Sequence, residues 1–130
     1  MSYESRTGAV IFAKNLDRIA AFYSEVLGLT EANRDTDHIL LESPGYQLVV
    51  HRIVGGGSTT GDTGAPAARR STAALKPVFF VQSISRLRAV AEKYGGVLEP
   101  AGQEWSFGGF TVCDGMDPDG NVLQFREPGR

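Results

Sequence analysis

Asn15-Leu16-Asp17-Arg18-Ile19-Ala20-Ala21-Phe22-Tyr23-Ser24-Glu25-Val26-Leu27-Gly28-Leu29 is the stretch on which the fold turns. Ile19, Phe22, Tyr23 and Val26 stand at i, i+3, i+4 and i+7, so they share one face of a helix. Asp17 or Asn15 can cap its start, because a short side chain there accepts a backbone N–H that has no helical partner. Gly28 stands where a helix commonly ends in the left-handed conformation. Just upstream, Val10 to Ala13 is a short apolar run of strand type.

The same pattern returns at an offset of 68 residues. Pro77 to Val81 is apolar and rich in β formers, Ser83 or Ser85 can cap, and Leu87, Val90, Ala91 and Tyr94 repeat the helical stripe. Gly95-Gly96 ends it. The offset aligns Leu16 with Ile84, Arg18 with Arg86, Ile19 with Leu87, Phe22 with Val90 and Gly28 with Gly96. One α+β domain with two unrelated hairpins is the competing account. Cap, stripe and stop recurring together favour a repeat, and a repeat decides the architecture.

Strand-like material follows each helix. His38 to Ser43 and Gln47 to Ile53 are joined by Pro44-Gly45, a type II turn pair. Phe110 to Met116 and Val122 to Glu127 flank Asp117-Pro118-Asp119-Gly120, where Pro pre-sets φ and Gly accepts a positive one. Weaker strands are expected near Thr30 to Arg34 and Val97 to Pro100. The sequence thus predicts an α+β chain of two βαβββ modules, residues 6–54 and 74–128. The linker, 55–73, is rich in Gly, Ser, Thr, Ala and Pro, and is read as a mobile connector.

Composition narrows the function. The 130 residues suffice for one domain with a core, and the net charge of −2 is not that of a nucleic-acid binder. Arg69-Arg70, the only adjacent basic pair, reads as solvated linker. A single cysteine, Cys113, permits neither an internal disulfide nor a CxxC metal site, which fits a reducing cytoplasm. Met1 to Thr7 is polar, with no signal-peptide core, and no apolar run approaches the ~20 residues that cross a bilayer. There is no dinucleotide fingerprint, phosphate-binding glycine loop or serine nucleophile elbow.

The helix N-L-D-R-x-x-x-F-Y-x-x-V-L-G-L at Asn15–Leu29 and the hairpin D-P-D-G-N-x-x-x-F at Asp117–Phe125 resemble the vicinal oxygen chelate superfamily of glyoxalases, bleomycin-resistance proteins and extradiol dioxygenases. The resemblance spans nearly the whole chain. It implies eight strands curled into an open cup with the helices outside, and frequent homodimers. It specifies function poorly, because this fold hosts isomerases, dioxygenases, fosfomycin-modifying enzymes and drug binders.

Metal enzymes of the superfamily carry His, Glu or Gln on the first and last strands of each module. Carried onto this chain, those positions are Gly8, Val49, Lys76 and Gln124. Glycine and valine have no donor atom, and a lysine ammonium repels a cation, which leaves Gln124 alone. No metal and no cofactor are expected.

Strand period two then places Val10, Phe12, Val49, His51, Lys76, Val78, Phe80, Val122, Gln124 and Arg126 on the inner face. Lys76, His51 and Arg126 make that face mildly electropositive, suiting a ligand with an anionic or carbonyl group. Trp105, in Gln103-Glu104-Trp105-Ser106-Phe107-Gly108-Gly109-Phe110, lies where the second module is seven residues longer than the first. It either stacks on a planar ligand, or packs at a dimer interface or over the core. His51 is a general base or a solvent-facing strand residue. His38 reads as a strand end, Glu42 as outward-pointing, Cys113 as core, and Asp117 and Asp119 as a self-capped turn.

The resulting expectation is a metal-independent small-molecule binder that sequesters its ligand in an apolar cup through Phe12, His51, Lys76, Phe80, Trp105, Gln124 and Arg126. A homodimer is expected, with neither nucleic acid nor membrane as partner. The alternative is a metal-dependent lyase, isomerase or dioxygenase using His51, Gln124 and Glu42 or Glu104. A third is an interaction subunit whose cup is filled by its own side chains.

Overall fold

Asn15 takes the capping role: its backbone is extended and its Oδ1 accepts from the Arg18 N–H at 3.1 Å. Helix α1 runs from Leu16 to Leu27 and ends on Gly28, at φ 69°. Leu16, Ile19, Ala20, Phe22, Tyr23 and Val26 are its buried face, the stripe that the periodicity predicts. They cover strands β3 (His38–Ser43) and β4 (Tyr46–Arg52) of a four-stranded sheet. The computed structural model describes residues 5–53 and 68–129. Residues 54–67, which include most of the expected connector 55–73, lie outside the described residues.

The chain divides into two units, Met1–Thr63 and Gly64–Arg130. In the first, β1 (Thr7–Ala13), β2 (Thr30–Arg34), β3 (His38–Ser43) and β4 (Tyr46–Arg52) form a sheet in the order β1-β4-β3-β2. β1 runs parallel to β4 and the other pairs are antiparallel. β1 starts three residues before the apolar run, at Thr7, because β4 pairs with it along its full length and overrides the weak strand preference of Gly8-Ala9.

In the second unit, β5 (Val78–Phe80), α2 (Ile84–Lys93), β6 (Val97–Leu98), β8 (Phe110–Met116) and β9 (Val122–Pro128) repeat the sequence of elements. Ser83 caps α2 by accepting from the Arg86 N–H at 3.2 Å, and Gly95 turns the chain away at φ 92°. The sheet order is β5-β9-β8-β6, and a ninth strand, β7 (Trp105–Phe107), also pairs with β8. Pro100, which lacks an N–H, stands just after β6, and a single 3-10 turn over Ala101–Gln103 leads into β7. Some of the second module's extra length is therefore spent on breaking its edge strand in two.

The repeat holds at the level of register. Val10 pairs with Val49 and Phe12 with His51; Val78 pairs with Gln124 and Phe80 with Arg126. Adding 68 to the first-strand number and 75 to the last-strand number converts one set of pairs into the other. The fold is α+β, built from two βαβββ modules.

The second hairpin is self-capped as its sequence suggests. Asp117 is fully buried, and its Oδ1 accepts from the N–H groups of Asp119 (2.9 Å) and Asn121 (3.0 Å). Gly120 has φ 82°. The end of the expected linker is not free of structure: Arg70 donates its N–H to the Gly120 carbonyl at 3.0 Å.

Candidate functional site

Alternation along β5, β8 and β9 sends Phe79, Cys113 and Phe125 toward the core and leaves Val78, Phe80, Asp114, Gln124 and Arg126 on the opposite, open face. There a continuous polar row crosses the sheet. The Lys76 ammonium, just ahead of β5, donates to Asp114 Oδ2 at 2.9 Å. Gln124 Nε2 donates to Asp114 Oδ1 at 3.1 Å, and Gln124 Oε1 accepts from Arg126 Nε at 2.9 Å.

The order of residue types in this row has a chemical reason. A carboxylate only accepts and a guanidinium only donates, so the group between them must do both. A side-chain amide does; a glutamate at 124 would set a second carboxylate against Asp114. Gln124 is buried, and among the described residues no buried side-chain nitrogen or oxygen lacks a partner.

Three aromatic side chains frame the row. The Arg126 guanidinium carbon lies 5.0 Å from the Phe107 ring centre and 5.9 Å from that of Phe80, a geometry in which ring quadrupoles attract a cation. Phe80 meets Phe110 edge-on at 5.1 Å. Phe80 and Phe107 are nevertheless exposed, at 64% and 58%, and Trp105, two residues along β7 from Phe107, is 41% exposed. Trp105 thus stands on a strand at the open face and does not close the core of its module.

The open face of the first sheet is plainer. Phe12 lies edge-on to the His51 ring at 5.7 Å, beside the exposed Val10. His51 is half-buried on an interior strand, and its Nδ1 is 2.8 Å from the Arg52 carbonyl. Glu42 is half-exposed and ion-paired with Arg6 at 3.2 Å. His38 is the first residue of β3, held by Asn33 (3.1 Å) and Asp35 (3.0 Å). The Asp35 carboxyl is held below its ordinary value mainly by the N–H of Asp37. A cavity of about 420 Å³ lies at the start of α1, between Lys14, Asp17, Arg34 and Arg52. Arg34, in its wall, is already paired with Asp17 and Glu31, both at 2.7 Å.

The positions at which metal enzymes of this fold place their ligands do not fit a divalent ion here. A Cβ built on Gly8 would stand 2.6 Å from the Gln47 carbonyl oxygen, so that position cannot accept a donor side chain without moving β4. Val49 has no donor, Lys76 brings a positive charge, and both carboxylate oxygens of Asp114 are taken by Lys76 and Gln124. Among the described residues no three His, Cys, Asp or Glu side chains converge.

On the helix side of the second sheet, Glu104 is committed to Arg88 of α2 at 2.6 Å, with its side chain only 8% exposed. That pairing raises the Arg88 pKa above its ordinary value. Burial pushes the Cys113 thiol up, and Cys113 sits in the core as expected.

Sequence reasoning missed Asp114, Phe107 and Phe110 as site components. The signal for β7 was present: Trp105-Ser106-Phe107 and Phe110 flank Gly108-Gly109, whose φ values of 58° and 84° make the tight hairpin turn that a Gly-Gly pair favours. Asp114 could have been found as the one charged side chain inside the run Phe110–Met116.

Residues 7–125 match the family model of the glyoxalase/bleomycin resistance protein/dioxygenase superfamily. Among curated proteins, no sequence matches this chain. Solved structures with the same fold include a glyoxalase/bleomycin resistance protein from Albidiferax ferrireducens T118, 19% identical, with a TM-score of 0.66 over 93% of this chain and 96% of that one. A bleomycin resistance determinant encoded on the transposon Tn5 is 15% identical, with a TM-score of 0.60 over 96% and 98%. A genomically encoded fosfomycin resistance protein from Listeria monocytogenes is 12% identical, with a TM-score of 0.66 over 97% and 94%. At these identities the likeness is one of fold.

Proposed function

The chain belongs to the glyoxalase/bleomycin resistance protein/dioxygenase superfamily, and from that premise we propose that it is a small-molecule binding protein that sequesters its ligand without a bound metal. One observation carries the reading. Where metal enzymes of the fold hold their ion, this chain has a walled-in glycine, a valine, a lysine and a glutamine already bonded to Asp114 and Arg126. A divalent ion requires several converging nitrogen or oxygen donors, and an ammonium group at that point opposes it.

Sequestration needs no bond to be made or broken. Exposed Phe80, Phe107 and Trp105 offer apolar surface, and each 100 Å² of apolar area taken from water stabilises a complex by about 2.5 kcal/mol before the costs of association. Lys76 and Arg126 would orient the ligand. The metal-enzyme alternative would recruit His51, Gln124 and Glu42 or Glu104, but Glu104 and Glu42 already face Arg88 and Arg6. A homodimer in a reducing cytoplasm belongs to the same proposal, and sedimentation equilibrium tests the dimer.

The deciding experiment measures the metal content of the purified protein and the quenching of Trp105, its one tryptophan, by planar ligands with and without chelator. The expected result is far less than one metal per chain and quenching that is indifferent to chelation. A stoichiometric metal whose removal abolishes ligand binding would overturn the proposal.

A further inference from the structure

We infer that the ligand is a planar aromatic carboxylate, held with its ring against Phe80, Phe107 and Trp105 and its carboxylate between Lys76 and Arg126. The inference rests on the sequestration reading and names the ligand class for it. Three charged groups stand in the polar row, Lys76, Asp114 and Arg126, and they sum to one positive charge. Asp114 spends one oxygen on Lys76 and the other on Gln124, so Arg126 reaches no carboxylate in the row, only the neutral Gln124 amide.

Donor capacity points the same way. An ammonium has three N–H donors and a guanidinium five. Among the described residues, Lys76 uses its Nζ on Asp114, and Arg126 hydrogen-bonds through Nε alone. Its remaining donors stand beside Phe80 and Phe107, over whose rings the guanidinium lies. The Lys76 side chain is 41% exposed, so its free donors reach solvent. A carboxylate supplies what these donors lack, two adjacent acceptor oxygens with a full negative charge.

The rest of the ligand is specified by the surroundings. Exposed aromatic rings on the same face as the cations favour a flat, apolar body, which stacks at offset or edge geometry. A cationic ligand would be repelled by Lys76 and Arg126. A neutral planar ligand would satisfy the rings and leave the donors to water.

The test compares naphthoate, its neutral isostere naphthamide and the non-planar cyclohexanecarboxylate by titration calorimetry on the full chain, with Trp105 fluorescence as a second readout. Naphthoate is expected to bind about tenfold more tightly than either comparator. Lys76→Met and Arg126→Gln should each weaken naphthoate about five- to tenfold and leave naphthamide unchanged, whereas Lys76→Arg should hold the wild-type affinity. Retained affinity in Lys76→Arg and unchanged naphthamide binding exclude simple misfolding. Equal affinities for naphthoate and naphthamide would overturn the carboxylate inference while sparing sequestration. Failure of both planar probes to bind or to quench Trp105 would overturn both.

Discussion

Val10 and Phe12 beside Val49 and His51 in the first module, and Val78 and Phe80 beside Gln124 and Arg126 in the second, are the same four places in two copies of one design. Backbone pairing is identical, so the register does not depend on what the open face carries. In the first copy that face sets Val10, Phe12 and Val49 beside His51, with His38, Gln47 and the Arg6-paired Glu42 along β3 and β4. In the second, Lys76, Asp114, Gln124 and Arg126 form a bonded row beneath exposed rings. A helix-covered core fixes one side of each strand, and the other side is left to diverge. The hydrogen-bonded row of Lys76, Asp114, Gln124 and Arg126 lies in the second copy.

The turns that close the two last hairpins give the sharpest contrast in stability. Gly45 and Gly120 have nearly equal positive φ, 81° and 82°. A Cβ on Gly45 meets nothing, whereas one on Gly120 collides with the Ala68 carbonyl oxygen. Gly45→Ala should cost only the left-handed strain, about 1–2 kcal/mol. Gly120→Ala adds an overlap with backbone and should cost about 3–4 kcal/mol in urea unfolding. Equal losses would mean that the segment through Ala68 yields freely and that the second turn is no more constrained than the first.

Ion pairs divide in the same way. Arg34 of the first module pairs with Asp17 and Glu31 at the surface, with side chains roughly half-exposed or more. Arg88 of the second pairs with a shielded Glu104 and bonds the Glu99 carbonyl. Arg34→Met is expected to cost under about 1 kcal/mol, as exposed pairs do. Arg88→Met strips a cation from a buried carboxylate and should cost about 2–4 kcal/mol. A loss below 1 kcal/mol at Arg88 would show that Glu104 is compensated from elsewhere and that the second module is no more dependent on its pair.

These contrasts mark what the sequence could and could not reveal. Caps, stripes and stops were legible because each is a local rule: Asn15, Ser83 and Gly28 do what their side chains dictate wherever they stand. The open-face residues Phe12, Phe80, Gln124 and Arg126 followed from period two once the strands were placed. Asp114 was not legible, because its meaning depends on Lys76 and Gln124, 38 and 10 residues away in the chain. β7 was hidden by its length: Trp105–Phe107 is too short for alternation to register, and only the Gly108-Gly109 turn announces it.

The exposed rings give a smaller and purely functional contrast. Phe12 and Phe80 are equivalent in register and similarly exposed, at 58% and 64%. Neither is part of a core, so Phe12→Ala and Phe80→Ala should each change stability by less than about 1 kcal/mol. Their effect on naphthoate should differ. Removing Phe80 takes away a stacking surface next to Arg126 and should weaken binding about fivefold, the value of one aromatic contact. Removing Phe12 should leave the affinity unchanged. A reversed ranking would move the ligand to the first module.

The smallest expected effect lies in pH. In the first module the Asp35 carboxyl is lowered chiefly by the Asp37 N–H, and that of Glu31 chiefly by its bond to Arg34. Each is ionised more readily folded than unfolded. Their stabilisation is therefore present above about pH 4 and is lost as pH falls through the lowered folded values. In the second module burial raises the Cys113 thiol above its ordinary value of 9.0. The fold prefers the neutral thiol, so this contribution is complete below about pH 9 and drains away as pH rises beyond it. Burial raises the Tyr46 phenol of the first module too, so the alkaline limb is shared and the acid limb is the discriminating one. Melting temperature against pH should show a shallower acid limb in Asp35→Asn and an unaltered one in Cys113→Ala, whose alkaline limb should flatten instead. An acid limb that Asp35→Asn leaves untouched would mean that the β2–β3 turn opens before the carboxylate protonates, and the first module would then owe nothing to it.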